Sequence, residues 1–116
     1  MRRRSDRQEA KYEKRRPFVV RILAERPLCE ACPVYARNDG KATYVRYPAT
    51  DVHELVRRSQ GGDILDDNNV LSVCRRCHDM IGRHPHEAEE LGLALPGWAT
   101  AEMFAEAERR RSGRAF

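Results

Sequence analysis

The sequence predicts a small α+β domain with a structural four-cysteine zinc site, a helical arm before it and helices after it. A chain of 116 residues has room for one domain with a modest core, so an additional fastening would help it fold. Its four cysteines form two CxxC pairs, at Cys29–Cys32 and Cys74–Cys77. Short segments rich in β-forming residues lie between these pairs, and segments with helical patterns flank them. We therefore expect one domain, with an arm at 1–26, a core at 28–83 and an extension at 84–116.

The arm carries the excess positive charge. Residues 1–26 hold ten basic and four acidic side chains, a net charge of +6, whereas the whole chain has a net charge of +4. Such an arm suits a protein that contacts phosphates, and it equally suits a solvated helix that keeps a small protein dispersed. Aromatic residues make up only 7% of the chain and do not alternate with the basic ones, which disfavours single-stranded nucleic acid as a ligand.

No segment is suited to a membrane or to export. The apolar run 18–24 is interrupted by Arg21, and no apolar stretch with a small-residue cleavage site follows the basic start of the chain. We therefore expect a cytoplasmic protein without a membrane span, in a compartment where thiols stay reduced.

The predicted elements follow from caps, breakers and periodicity. Ser5 caps a first helix at 6–15, and Pro17 ends it and begins a second helix at 18–25. Residues 34–42 are predicted to be a loop, and strands are predicted at 43–47, 51–56 and 70–73. Three further helices are predicted at 75–82, 85–91 and 100–111. In the last helix we expect Met103, Phe104 and Ala107 to be buried, with Trp98 in the core nearby.

The cysteine spacing predicts a structural zinc site. Two CxxC pairs supply four thiolates, the ligand set of tetrahedral zinc, from Cys29, Cys32, Cys74 and Cys77. Two redox pairs are an alternative, but neither motif has a thioredoxin-like βαβ context. The run Cys74-Arg-Arg-Cys77-His78 also fits c-type haem attachment, which would require export and leave the first pair unexplained. Four protein ligands leave no open position, so we expect this zinc to have no catalytic role.

Histidine and asparagine residues recur between and after the cysteine pairs. His53-Glu54 is followed by Gly61-Gly62, then by Asn69, and His78 directly follows the last cysteine. In this combination, residues 28–83 resemble the HNH endonuclease family, in particular its zinc-containing branch common in phages and prophages. The resemblance implies a ββα-metal core with a treble-clef-like zinc site.

The resemblance also implies roles for individual residues. His78 and His53 lie where the family binds a catalytic divalent metal, and Asn69 lies where the family's asparagine holds the loop and orients the general base. Glu54 occupies the position of the general base, which is normally histidine. A second arrangement stays open, with His53 as the base and Asp51 joining His78 on the metal. Strand geometry supports this second arrangement. Asp51 and His53 are two positions apart and share a strand face, whereas the adjacent residues His53 and Glu54 point to opposite faces.

The expected function is metal-dependent hydrolysis of phosphodiester bonds in double-stranded DNA, with Mg²⁺, Mn²⁺, Ni²⁺ or Zn²⁺ at the catalytic site. Arginines near the motif and in the arm are candidate DNA contacts, namely Arg2, Arg3, Arg4, Arg57, Arg58, Arg75 and Arg76. Because members of this family often occur beside phage packaging proteins, the resemblance also implies such proteins as partners and a bacterial host cell as the location. A zinc-dependent DNA-binding module with a weakened or inactive nuclease site is the main alternative, and a protein-interaction module that docks through its C-terminal helices is a third.

Overall fold

A two-stranded antiparallel sheet organises the chain, in a computed structural model that describes residues 6–113. Strand β1 (Asp51–Glu54) pairs with β2 (Val70–Val73), with Asp51 opposite Val73 and Glu54 opposite Val70. The helices in this range are α1 (Asp6–Glu25), α2 (Cys32–Asn38), α3 (Arg75–Arg83), α4 (Pro85–Glu90) and α5 (Ala101–Ser112). Short 3₁₀ turns, Arg58–Gln60 and Asp67–Asn69, lie between the strands. The prediction of a small α+β protein is confirmed.

Each face of the sheet packs against a different helix. Val52 and Val70 form one hydrophobic cluster with Phe18 and Ile22 of α1. The residues that alternate with them point to the other face, where Leu71 packs in a second cluster with Ile81 of α3, the four cysteines and Leu93. This second face also carries Asp51 and His53, so α3 covers the polar end of β1.

The predicted break at Pro17 is wrong, because α1 continues through the proline as one helix of 20 residues. A proline inside a helix removes one backbone hydrogen bond and crowds the preceding turn. Phe18 and Ile22, directly after it, are 7% and 1% exposed, so their burial against the sheet offsets that cost. Ser5, the predicted cap, lies outside the described residues.

The segment between the cysteine pairs also differs from its prediction. Residues 34–42 were expected to be a loop, but α2 occupies most of the first half of this segment. The predicted strand at 43–47 is absent, and Tyr44 and Val45 are exposed. The backbone at Tyr47 and Pro48 pairs instead with the residues at the first cysteine pair. Cys29 N–H donates to the Tyr47 carbonyl, and Leu28 forms an isolated β-bridge with Pro48.

The C-terminal helices lie within a residue or two of their predicted bounds. Thr100 caps α5 by accepting the Met103 N–H at 3.2 Å, and Ala107 is buried while Met103 and Phe104 are half-buried. The predicted core position of Trp98 is wrong, because its side chain is 75% exposed. Leu93, from the same connecting segment, fills the core next to α3 and is fully buried. No helix within 6–113 is long and apolar enough to cross a membrane.

Candidate functional site

The four cysteines lie together at the start of α2 and α3. Their sulfur atoms all lie within 4.8 Å of one another, and all four are free thiols rather than disulfides. The Sγ of Cys32 is 4.0 Å from that of Cys74 and 3.9 Å from that of Cys77. Four sulfurs at about 2.3 Å from a tetrahedral zinc ion would be about 3.8 Å apart. The cluster therefore has the donor set and the spacing to hold zinc.

The thiols influence one another's protonation. A hydrogen bond from Cys77, opposed by burial, lowers the pKa of Cys29 to about 4, while burial raises the pKa of Cys32 to about 11. The hydrogen bond that Cys77 donates to Cys29, together with burial, raises the pKa of Cys77. Cys29 is thus the most readily ionised of these three thiols, because Cys77 donates a hydrogen bond to its sulfur. A divalent cation is the natural group to bind all four as thiolates.

This cluster joins two distant parts of the chain. Cys74 is the N-cap of α3, and its Sγ accepts the Cys77 N–H at 3.5 Å. Near the other pair, the Glu30 carboxylate accepts the Ser72 N–H at 2.7 Å, which ties the first cysteine pair to β2. The position of α3 relative to β2 is therefore set at the cysteine cluster, and His78 follows the last cysteine by one residue.

A carboxylate and an imidazole meet beside the cluster. The His78 Nδ1 donates to the Asp51 Oδ2 at 2.8 Å, and Arg75 Nη1 donates to the same oxygen at 3.0 Å. Thr50 Oγ1 donates to the other carboxylate oxygen at 2.9 Å. Burial raises the pKa of Asp51, but these hydrogen bonds outweigh it and the pKa is lowered overall. The His78 side chain is 32% exposed, so this pair can be reached from solvent.

His53 is buried and held in one tautomer. Its Nε2 lies 2.7 Å from the carbonyl oxygen of Leu93, and a carbonyl can only accept, so Nε2 carries the proton. The Nδ1 atom then has a free lone pair. Burial lowers the pKa of His53 to about 4, so the ring is neutral at pH 7. The His53 and His78 rings meet edge to face with centroids 5.4 Å apart.

Glu54 is bound on the opposite face of β1. Its Oε1 accepts hydrogen bonds from Arg58 Nη2 at 3.0 Å and Nε at 3.2 Å, and Arg15 Nη2 lies 3.7 Å away. Arg15 also donates to the carbonyl oxygens of Ile64 and Val52, and Arg58 lies over the ring of Tyr12. Glu54 therefore connects α1 to the strand that carries His53.

Asn69 closes the loop between the strands. It is 3% exposed, its Oδ1 accepts the Val56 N–H at 2.9 Å, and its Nδ2 donates to the carbonyls of Val56 and Asp63 at 3.1 and 3.0 Å. All its polar atoms serve the loop, and none contacts His53 or His78 directly. Asn69 thus holds the end of β1 against the start of β2.

The arginines differ in how freely they could contact a ligand. Arg57 and Arg76 are exposed, and the described part of the chain offers their side chains no hydrogen bond or ion pair. Arg58 and Arg75 are paired with Glu54 and Asp51, as given above. Arg2, Arg3 and Arg4 lie outside the described residues. A cavity of about 290 Å³ lies between β1 and α3 and is lined by His53, Glu54, Arg57, Arg58 and His78.

Two participants in the site were not singled out from the sequence. The Leu93 carbonyl is a backbone atom forty residues from His53, and no side-chain pattern marks it. Arg15 was counted as part of the basic arm rather than as a partner of Glu54. No protein-family model, curated protein or solved structure matches this chain.

Proposed function

We propose that this chain is a metal-dependent endonuclease of the HNH type, which hydrolyses phosphodiester bonds of double-stranded DNA. The observation that carries the proposal is the convergence of Asp51, His53 and His78 on one face of β1 and the start of α3, beside an open cavity. The order β1, β2, α3 next to a four-cysteine cluster is what a ββα-metal core with a treble-clef-like zinc site requires.

Asp51 and His78 are the residues that fit a divalent metal. Ligands at about 2.1 Å on adjacent positions of an octahedral ion lie about 3.0 Å apart. The Asp51 oxygen and the His78 nitrogen are 2.8 Å apart, and they combine a carboxylate with an imidazole. When bound, the metal would supply charge stabilisation for the scissile phosphate and the leaving 3′ oxygen.

His53 is the better general base of the two candidates. Its Nε2 proton is fixed on the Leu93 carbonyl, which leaves the Nδ1 lone pair to accept a proton from water. Glu54 also lines the cavity, but its Oε1 already accepts hydrogen bonds from Arg58 and lies close to Arg15. We therefore assign water activation to His53, the metal to Asp51 with His78, and a structural role to Glu54.

Phosphate contacts would come from the arginines around the cavity. Arg57 and Arg58 line it, whereas the exposed basic residues of α1 lie on the other face of the sheet. Guanidinium groups bind phosphate oxygens in pairs, which gives affinity without reading the base sequence. Double-stranded DNA is thus the proposed partner. Association with phage packaging proteins and the cytoplasmic location stay predictions.

A plasmid assay tests the proposal. Zinc-loaded protein is incubated with supercoiled plasmid and Mg²⁺, Mn²⁺ or Ni²⁺, beside the variants His78→Ala and His53→Gln. We expect nicked circles with at least one metal, and a loss of about a hundredfold or more in rate for each variant. His86→Ala is the matched control, because His86 is an exposed histidine on α4. Undiminished nicking by His78→Ala would contradict the metal assignment.

One observation favours a second candidate, a DNA-binding module without efficient hydrolysis. Asp51, His78 and Arg75 satisfy one another, and a glutamate stands where the family's base is expected. This module would retain DNA in a salt-dependent manner and nick with none of the metals.

A further inference from the structure

Arg75 occupies an unusual place at the first position of α3. Its Nη1 donates to Asp51 Oδ2 at 3.0 Å, and its Nη2 lies 3.1 Å from Asp79 one turn later. The side chain is nevertheless 72% exposed. Arg75 therefore lies at the surface, in contact both with Asp51 of the candidate metal site and with solvent.

The dipole of α3 disfavours an arginine at this position, although the ion pair with Asp79 offsets part of that cost. The N-terminus of a helix carries a partial positive charge and favours acidic side chains. The first turn of α3 contains no acidic residue and begins with Arg75 and Arg76. Two cations there oppose the helix dipole and raise the positive potential at this end, which would favour an incoming phosphate.

The Asp51 Oδ2 atom has no room for a further partner. A carboxylate oxygen offers about two acceptor directions, and here His78 and Arg75 take both. A cation bound by this oxygen and by His78 Nδ1 takes the place of the hydrogen bond between them, and the Nδ1 proton leaves to solvent. The guanidinium of Arg75 then shares this oxygen with the cation, and the two positive charges repel each other. Because its side chain is 72% exposed, Arg75 is free to leave Asp51.

We propose that Arg75 gates the cation site: it holds Asp51 before the cation binds, and it leaves Asp51 for a DNA phosphate once the cation is bound. This inference rests on the proposed function, since it needs the cation on Asp51 and His78. Cation and DNA then assist each other, because a phosphate that binds Arg75 removes the cation's competitor, and the coupling must be reciprocal.

Titration of zinc-loaded protein with Mn²⁺ in the absence of DNA tests the gate. Free Mn²⁺ is measured by electron paramagnetic resonance for the wild type and for Arg75→Ala, Arg76→Ala and His78→Ala. We expect Arg75→Ala to bind Mn²⁺ about two- to fivefold more tightly, the range that loss of an exposed ion pair allows. Arg76→Ala removes the same charge from the same turn and should change the affinity much less. His78→Ala should lose the site.

The outcomes separate the two proposals. Equal or weaker Mn²⁺ binding by Arg75→Ala, with normal binding by the wild type, would overturn the gate alone. Failure of the wild type to bind Mn²⁺ beyond its zinc would overturn the cation site and the proposed function with it. Circular dichroism confirms that each variant is folded, and Arg75→Lys, which keeps the charge but not the forked donor, should fall between wild type and Arg75→Ala.

Discussion

Acidification should destabilise this protein through His53. The pKa of His53 is about 4 in the folded chain, mainly because the ring is buried, against 6.5 for an ordinary histidine. Between these values the unfolded chain binds a proton that the folded chain lacks. The free energy of unfolding therefore falls as the pH drops below 6.5, and the loss is complete near pH 4.

The size of the effect follows from the lowered pKa of His53. A difference of one pKa unit corresponds to about 1.4 kcal/mol, so His53 contributes about 3 kcal/mol to the free energy of unfolding when its full effect is present. Integrated from pH 7 to pH 5, its contribution is about 2 kcal/mol, a large part of the stability of a small domain.

Urea unfolding at pH 7 and pH 5 measures this contribution. His53→Gln is the informative variant, because its amide can donate to the Leu93 carbonyl but does not titrate. We expect the wild type to lose about 2 kcal/mol more than His53→Gln over this interval. His86→Gln, at an exposed histidine, should behave like the wild type. Protonation of the zinc ligands affects all three proteins alike and cancels in the comparison.

Equal pH dependence of the wild type and His53→Gln would refute the reasoning. It would mean that the folded chain accommodates a charged His53 without cost. The ring could then carry a proton on Nδ1 as well as on Nε2, and the assignment of His53 as a neutral base would lose its support.

Three further predictions concern other parts of the site. Cys77→Ser should reduce the zinc content from about one ion per chain to near zero, with loss of cooperative thermal unfolding, and a variant that keeps stoichiometric zinc would contradict the four-cysteine site. Asn69→Ala removes two buried hydrogen bonds to Val56 and a partly buried one to Asp63, so the free energy of unfolding in urea should fall by about 2–4 kcal/mol. A change below about 0.5 kcal/mol would be inconsistent with a role of Asn69 in holding the loop. Glu54→Gln should keep plasmid nicking within about threefold of wild type while it lowers stability by about 1–2 kcal/mol, since only the ion pairing to α1 and Arg58 is weakened. A hundredfold loss of nicking would return the role of base to Glu54.

Local chemistry made part of the site predictable. The CxxC spacing alone predicted the cysteine cluster, because ligands three positions apart on a knuckle reach the same ion whatever the surrounding fold. Strand alternation predicted that Asp51 and His53 share a face and that Glu54 does not. The contact between His78 and Asp51 then follows once α3 begins at Arg75 with Cys74 as its N-cap.

Contacts between distant segments were not predictable. Pro17 signals a helix break, yet the burial of Phe18 and Ile22 keeps α1 continuous, and this depends on a sheet formed thirty residues later. Trp98 is a large apolar residue of the kind usually found in a core, but Leu93 fills the core position instead and Trp98 is exposed. Glu54 could not be distinguished from a catalytic carboxylate, because its partner Arg15 lies 39 positions away on another element.

The adjacency of Cys77 and His78 sets limits on how the chain length can vary. Each residue added to an α-helix turns the following side chains by about 100°. One residue inserted between Cys77 and His78 would leave the cysteine cluster intact but rotate the imidazole away from Asp51. The exposed segment 39–45 carries no such constraint, since its side chains lie outside both hydrophobic clusters. Insertions and deletions should therefore be tolerated at 39–45 and rejected between Cys74 and His78, which a library of length variants screened for folding and nicking would reveal.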